Sequence, residues 1–83
     1  MNPEIIGNRL KSLMAIRNIN RSYLAKKLGI SYSTLTKKLN GEKEFNVNEL
    51  WIIKEVLELD QKLCEEVFFN PNFFIDEENN LVQ

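Results

Sequence analysis

The sequence predicts an all-α domain of five short helices. Three observations carry that expectation: apolar residues recur at three- and four-residue spacing from Ile6 to Phe68, each such run is preceded by an Asn, Ser or Asp, and no stretch alternates apolar with polar residues for long enough to make a strand. The chain has 83 residues, 43% hydrophobic and 28% charged, which gives room for one small core and none for a second domain.

Asn2, Pro3 and Glu4 read as an N-cap, a first-turn proline and a first-turn acid, and Ile6, Leu10 and Leu13 follow at helical spacing. A first helix is expected from Pro3 to Arg17. Asn18 then stands where a left-handed residue ends a helix. Asn20 caps a second helix from Arg21 to Leu28, with Leu24, Ala25 and Leu28 inward and Gly29 as its stop. Ile30 plugs the turn, and Ser31 caps a third helix from Tyr32 to Leu39, with Leu35 and Leu39 buried and Asn40-Gly41 closing it. Asn46 and Glu49, three apart, form a capping box for a fourth helix expected from Val47 to Glu58, with Leu50, Ile53, Val56 and Leu57 inward. Asp60 caps a fifth helix from Gln61 to Phe69, carrying Leu63, Val67 and Phe68, and Asn70-Pro71 stops it. Residues 1–70 are therefore expected to form the domain. Residues 71–83 are expected to be a tail, packed at its start and frayed at its end.

Several function classes fall away on composition. Histidine is absent and Cys64 is the sole cysteine, which excludes an intramolecular disulfide and the usual zinc sites and removes the usual general base. There is no GxxxxGK[ST] phosphate loop, and the carboxylate runs Glu65-Glu66 and Asp76-Glu77-Glu78 read as solvated charge. No enzyme, cofactor, metal or small-molecule ligand is expected. No apolar run exceeds four residues, so neither a membrane span nor a signal peptide is found and a cytoplasmic location is expected. Cys64 itself reads as a small buried or interface residue rather than a reactive thiol.

The net charge of −1 conceals a sharp division. Residues 1–43 hold nine bases against Glu4 and Glu42, a balance of +7, whereas residues 44–83 hold only Lys54 and Lys62 against ten acids, a balance of −8. Such a split points to a basic face for a polyanion and an acidic back. The third helix lies in the basic part. Two short helices joined by a Gly-containing turn, the second capped by Ser and carrying small polar and basic side chains, make a helix-turn-helix. Ala25 keeps the two helices close, Gly29 allows the turn, and Ile30, Leu35 and Leu39 lock the third helix to the core. Tyr32, Ser33, Thr36 and Lys37 are left outward, with Thr34, Lys38 and Asn40 toward the flanks, and a helix of this kind fits the DNA major groove.

The segment NRSYLAKKLGISYSTLTKKLNGEKEF, residues 20–45, resembles the helix-turn-helix of the phage repressor and Cro family, also called the XRE family. The likeness covers about residues 5–69, and KLNG followed by Glu44-Phe45 is similar to small phage-encoded regulators. The resemblance implies a lambda-repressor-like fold and a sequence-specific double-stranded DNA-binding transcriptional regulator in a bacterial host cell, with the third helix in the major groove. It implies base reading by Tyr32, Ser33, Thr36 and Lys37, and phosphate contacts by Asn20, Arg21, Thr34, Lys38, Asn40 and Lys43. Arg21 replaces the Gln usual at its position; a full charge suits the phosphate, while the Gln's second role of bracing a recognition side chain is left open. Tyr32 replaces the commoner Gln or Arg, which makes a thymine methyl or a phosphate its expected contact.

Apolar residues in excess of the core pattern, Met14, Ile16, Trp51 and Ile52 together with the C-terminal aromatics, point to a partner. A homodimer is expected through Val67, Phe68, Phe69, Phe73, Phe74 and Ile75, because a single short recognition helix reads too few base pairs to single out one operator. The alternative is a protein-interaction role, as an antitoxin or anti-repressor, that keeps the helix-turn-helix as a scaffold.

Overall fold

A computed structural model of the chain describes residues 2–76 and 80–82. Its five helices are α1 (Pro3–Arg17), α2 (Arg21–Leu28), α3 (Tyr32–Leu39), α4 (Val47–Val56) and α5 (Gln61–Phe69). Every one starts at the expected cap. The side-chain oxygens of Asn2, Asn20, Ser31, Asn46 and Asp60 accept from the backbone N–H three residues on, at 2.7 to 3.0 Å, satisfying donors that a helix leaves unpaired at its start. At Asn46 the box is reciprocal, because Glu49 Oε1 accepts from the Asn46 N–H at 2.9 Å. Asn18 and Gly29 end α1 and α2 in the left-handed region, at φ 59° and 70°.

The fourth helix stops two residues before its expected end. Leu57 is its C-cap, Glu58 turns left-handed at φ 55°, and the Leu59 N–H donates back to the Lys54 carbonyl at 2.9 Å. Burial explains the early stop. Leu57 and Leu59 are both in the core, and two residues that close in sequence cannot share one face of a continuing helix. Arg17 holds this end by donating Nε–H to the Leu57 carbonyl at 3.0 Å.

Leu10, Leu13, Leu24, Leu35, Leu39, Ile53, Leu57 and Val67 are fully buried and draw all five helices onto one core, which Met14 joins. α1 packs on α3, α2 bridges α3 and α4, and α5 lies under α1. The α1–α3 contact depends on Gly7. A Cβ there would sit 2.0 Å from the Leu39 carbonyl oxygen, so only a glycine lets the two backbones approach this closely.

Beyond α5 the chain turns at Pro71 and forms a short antiparallel ribbon, β1 (Phe74–Asp76) against β2 (Asn80–Val82), with Ile75 opposite Leu81. The ribbon is an appendage to an all-α body. Arg9, buried in α1, ties this region down: its Nη1 donates to the carbonyls of Glu66 and Val67 at 3.1 and 2.9 Å, and its Nη2 to that of Phe73 at 2.5 Å. Burial pushes the guanidinium pKa down, against the opposing pull of the Glu66 carboxylate. The Phe73 ring lies beside it, 5.6 Å from centroid to the guanidinium carbon. Two of the six residues expected at a dimer interface are thereby reassigned. Val67 and Phe73 belong to the core, because filling the space between α1 and α5 leaves them no surface. Phe68 and Ile75 are half-buried against that core, and Phe69 and Phe74 remain exposed.

Candidate nucleic-acid interface

The geometry of the site begins in the turn between α2 and α3. The N–H groups of Gly29 and Ile30 donate to the carbonyls of Lys26 and Ala25 at 3.2 and 3.1 Å, closing α2, and one residue later Ser31 opens α3. Ala25 is buried next to this turn and Ile30 packs against the core. With Leu35 and Leu39 anchored inward, the remaining positions of α3 are set by the 3.6-residue period. Tyr32, Ser33 and Lys37 are exposed and Thr36 is half-buried. At relative positions 0, 1, 4 and 5 they form one outward stripe of hydroxyl groups and a cation, on a helix of eight residues.

The residues expected to touch phosphate are not all in one situation. Asn20, Asn40 and Lys43 are exposed and Thr34 is half-buried, its hydroxyl accepting from Ser31 Oγ at 2.9 Å. The Asn20 oxygen is taken by the cap of α2, and the Asn40 oxygen accepts from Lys11 Nζ at 2.8 Å. In both, the amide N–H groups are the atoms left to donate. Arg21, at the start of α2, donates from Nη1 to Thr36 Oγ1 at 3.2 Å. It therefore braces a side chain of the outward stripe, and a guanidinium with five N–H donors has others to spare for an anion.

Lys38 requires a correction. Its ammonium is turned inward, where Nζ lies 2.5 and 2.6 Å from the two carboxylate oxygens of Glu49 and 5.9 Å from the centre of the Phe45 ring. The lysine and the glutamate side chains are 11% and 7% exposed. A position between Leu35 and Leu39 on the helix faces the core, so this lysine neutralises Glu49 rather than a phosphate. Burial alone would raise the Glu49 carboxyl pKa; hydrogen bonds from Lys38 and the Asn46 N–H, with the lysine's charge, outweigh it and hold the pKa below the ordinary carboxylate range.

With Arg9 and Lys38 inside, seven of the nine bases of residues 1–43 stay on the surface against Glu4 and Glu42. Lys26 and Lys27, exposed on α2, are among them, and Lys27 Nζ stands 5.4 Å from the centre of the Tyr23 ring. Sequence reasoning did not single out these two. The four-residue spacing of Tyr23 and Lys27 was the available signal. Among the described residues, no group of three or more His, Cys, Asp or Glu could hold a metal, and no helix is long and apolar enough to cross a membrane.

Residues 9–60, well over half of the chain, match the family described as the Cro/C1-type HTH DNA-binding domain. The matched span contains α2, the turn, α3, α4 and most of α1. No match was found among curated proteins or among solved structures.

Proposed function

The chain belongs to the Cro/C1-type helix-turn-helix DNA-binding family, and from that premise we propose that it is a sequence-specific transcriptional regulator that reads the major groove with α3, one copy on each half of a two-fold operator. The outward stripe of Tyr32, Ser33, Thr36 and Lys37 carries this reading, being a row of polar heads on a helix whose other side is fixed in the core. Lys37 presents a cation suited to the O6 and N7 acceptors of guanine, and Tyr32 suits a thymine methyl or a phosphate. Around the stripe, Asn20, Arg21, Thr34, Asn40 and Lys43 are the phosphate contacts that set its register. The likeness of Lys38-Leu39-Asn40-Gly41 and Glu44-Phe45 to small phage regulators favours a phage or prophage role, exercised by occupying a promoter and so blocking or recruiting polymerase. Two copies are needed because α3 is about 12 Å long and spans only a few base pairs.

Titration with duplex DNA at several salt concentrations tests this reading. Log affinity is expected to fall linearly with log salt, each phosphate contact adding about −0.9 to the slope. Lys37→Ala is expected to relax preference at one base pair by about 1–3 kcal/mol. Binding that ignores salt, or a Lys37→Ala protein with unchanged preference at every position, would sink the proposal.

A further inference from the structure

At the C-terminal end of α3 the chain sets Asn40 directly before Gly41. The sequence holds eleven asparagines, and Asn40 is the one followed by glycine. Asn2 and Asn70 precede prolines, which have no N–H, and the others precede residues whose side chains crowd the next peptide nitrogen. We propose that Asn40-Gly41 is a self-modifying site, in which the Gly41 nitrogen displaces ammonia from the Asn40 side chain, assisted by Lys11, and leaves an acid beside the outward stripe of α3. The chemistry stands by itself, and its consequence rests on the DNA-binding reading above.

Access is the first support. Asn40 is exposed and is the C-cap rather than an interior residue of α3, with φ −88° and ψ 0°, and Gly41 has already left the helix at φ 83°. Activation is the second. Lys11 Nζ, reaching across from α1, donates to Asn40 Oδ1 at 2.8 Å. A cation on that oxygen draws electrons from Cγ and stabilises the negative charge that gathers on Oδ1 when a nucleophile adds. The fixed glycine is the third. A Cβ at Gly41 would stand 2.9 Å from the Glu4 Cα and backbone nitrogen, and its left-handed φ strains any other residue. The fold therefore requires at position 41 the residue that shields the nitrogen least.

The step balances without an oxidant or a cofactor. Base removes the Gly41 N–H proton, the nitrogen adds to Asn40 Cγ, the bond from Cγ to Nδ2 breaks, and Nδ2 leaves as ammonia with protons from water. The five-membered succinimide that results is opened by one water at either carbonyl, giving aspartate or isoaspartate at position 40. In the native turn the Gly41 N–H donates to the Lys38 carbonyl at 3.2 Å and the Glu42 N–H to that of Lys37 at 2.9 Å. These bonds must open first, so the reaction runs from the frayed end of α3 and is slow. Its products put a carboxylate where amide donors would meet a phosphate, and that carboxylate also claims the Lys11 ammonium. Isoaspartate in addition lengthens the main chain by one carbon where Gly41 packs on Glu4.

The test ages the full chain in mildly alkaline buffer and maps its peptides by mass spectrometry. An amide-to-acid mass gain should accumulate at Asn40 with release of ammonia, faster in proportion to hydroxide, while Asn20 and Asn46, followed by Arg21 and Val47, stay intact. Lys11→Met should slow the gain several-fold, and Asn40→Gln, whose ring would need six members, should abolish it. An unmodified Asn40, a gain spread evenly over the asparagines, or a Lys11→Met chain that reacts as fast as the parent overturns the proposal. Duplex DNA reads the consequence. Aged parent and fresh Asn40→Asp should both bind more weakly than fresh parent, with a slope of log affinity against log salt shallower by about 0.9, whereas the affinity of Asn40→Gln should not drift with age. Modification at Asn40 with DNA affinity unmoved overturns the effect on binding. A chain that modifies itself but binds no duplex at any age ends the operator reading and leaves the site standing.

Discussion

Lys37 and Lys38 are neighbours in α3 and identical in type, yet they lie on faces with opposite tasks. Lys37 is exposed in the outward stripe with Tyr32, Ser33 and Thr36, where its charge remains available to a ligand. Lys38 is on the inward face between Leu35 and Leu39, and both carboxylate oxygens of Glu49 take its charge. A turn of about 100° between adjacent helical residues is enough to leave one lysine exposed to solvent and make the next a structural group. The inward pair also joins α3 to α4 through a carboxylate already engaged in the capping box, so the angle of α3 and the start of α4 are set by the same side chain.

The sharpest way to break this contrast is to attack the inward face. Glu49→Gln leaves the Lys38 ammonium buried without its counter-charge, which is expected to cost about 3–5 kcal/mol. At about 4–8 °C per kcal/mol for a domain of this size, thermal melting followed by circular dichroism should fall by more than about 10 °C. A melting point equal to the parent's would mean that the pair is solvated and the two faces are alike. The same carboxyl shapes the acid limb. Its folded-state pKa lies below its unfolded value, so its contribution is complete above about pH 4.3 and is lost as pH falls through the folded value. Stability of the parent should therefore drop in acid more steeply than that of Glu49→Gln.

Gly7→Ala comes next in size. Its Cβ would meet the Leu39 carbonyl, a backbone group that cannot swing aside, and the overpacking cost toward about 3 kcal/mol exceeds the roughly 1 kcal/mol gained by removing a helical glycine. Melting should fall and DNA affinity should fall further, because the displaced element is α3 itself. If the variant is more stable than the parent, α1 and α3 are not in backbone contact.

Arg21→Gln sharpens the outward side with the smallest effect. It removes a charge but keeps a donor for Thr36, so the salt slope should become shallower by about 0.9 while base preference and melting stay as in the parent. A changed base preference with an unchanged slope would make Arg21 a bracing residue alone.

Features that four or five neighbouring residues settle are legible in the chain before it folds. Asn2, Asn20, Ser31, Asn46 and Asp60 start the five helices, and Asn18 and Gly29 stop the first two, because a cap or a left-handed turn is satisfied by backbone groups three to five residues away. The helix-turn-helix is legible for the same reason, and the outward placement of Tyr32, Ser33 and Lys37 follows from the helical period with Leu35 and Leu39 inward. Tertiary structure decided the rest. The end of α4 depends on Leu57 and Leu59 both reaching the core, the fate of Lys38 on a glutamate 11 residues away, and the burial of Arg9 on a carbonyl 64 residues away. The bond from Arg21 to Thr36 and the loss of Val67 and Phe73 to the core likewise arise only when helices meet. A lone lysine or phenylalanine in a sequence carries no mark of whether another helix will cover it, since burial and charge pairing belong to the contact between elements rather than to either element alone.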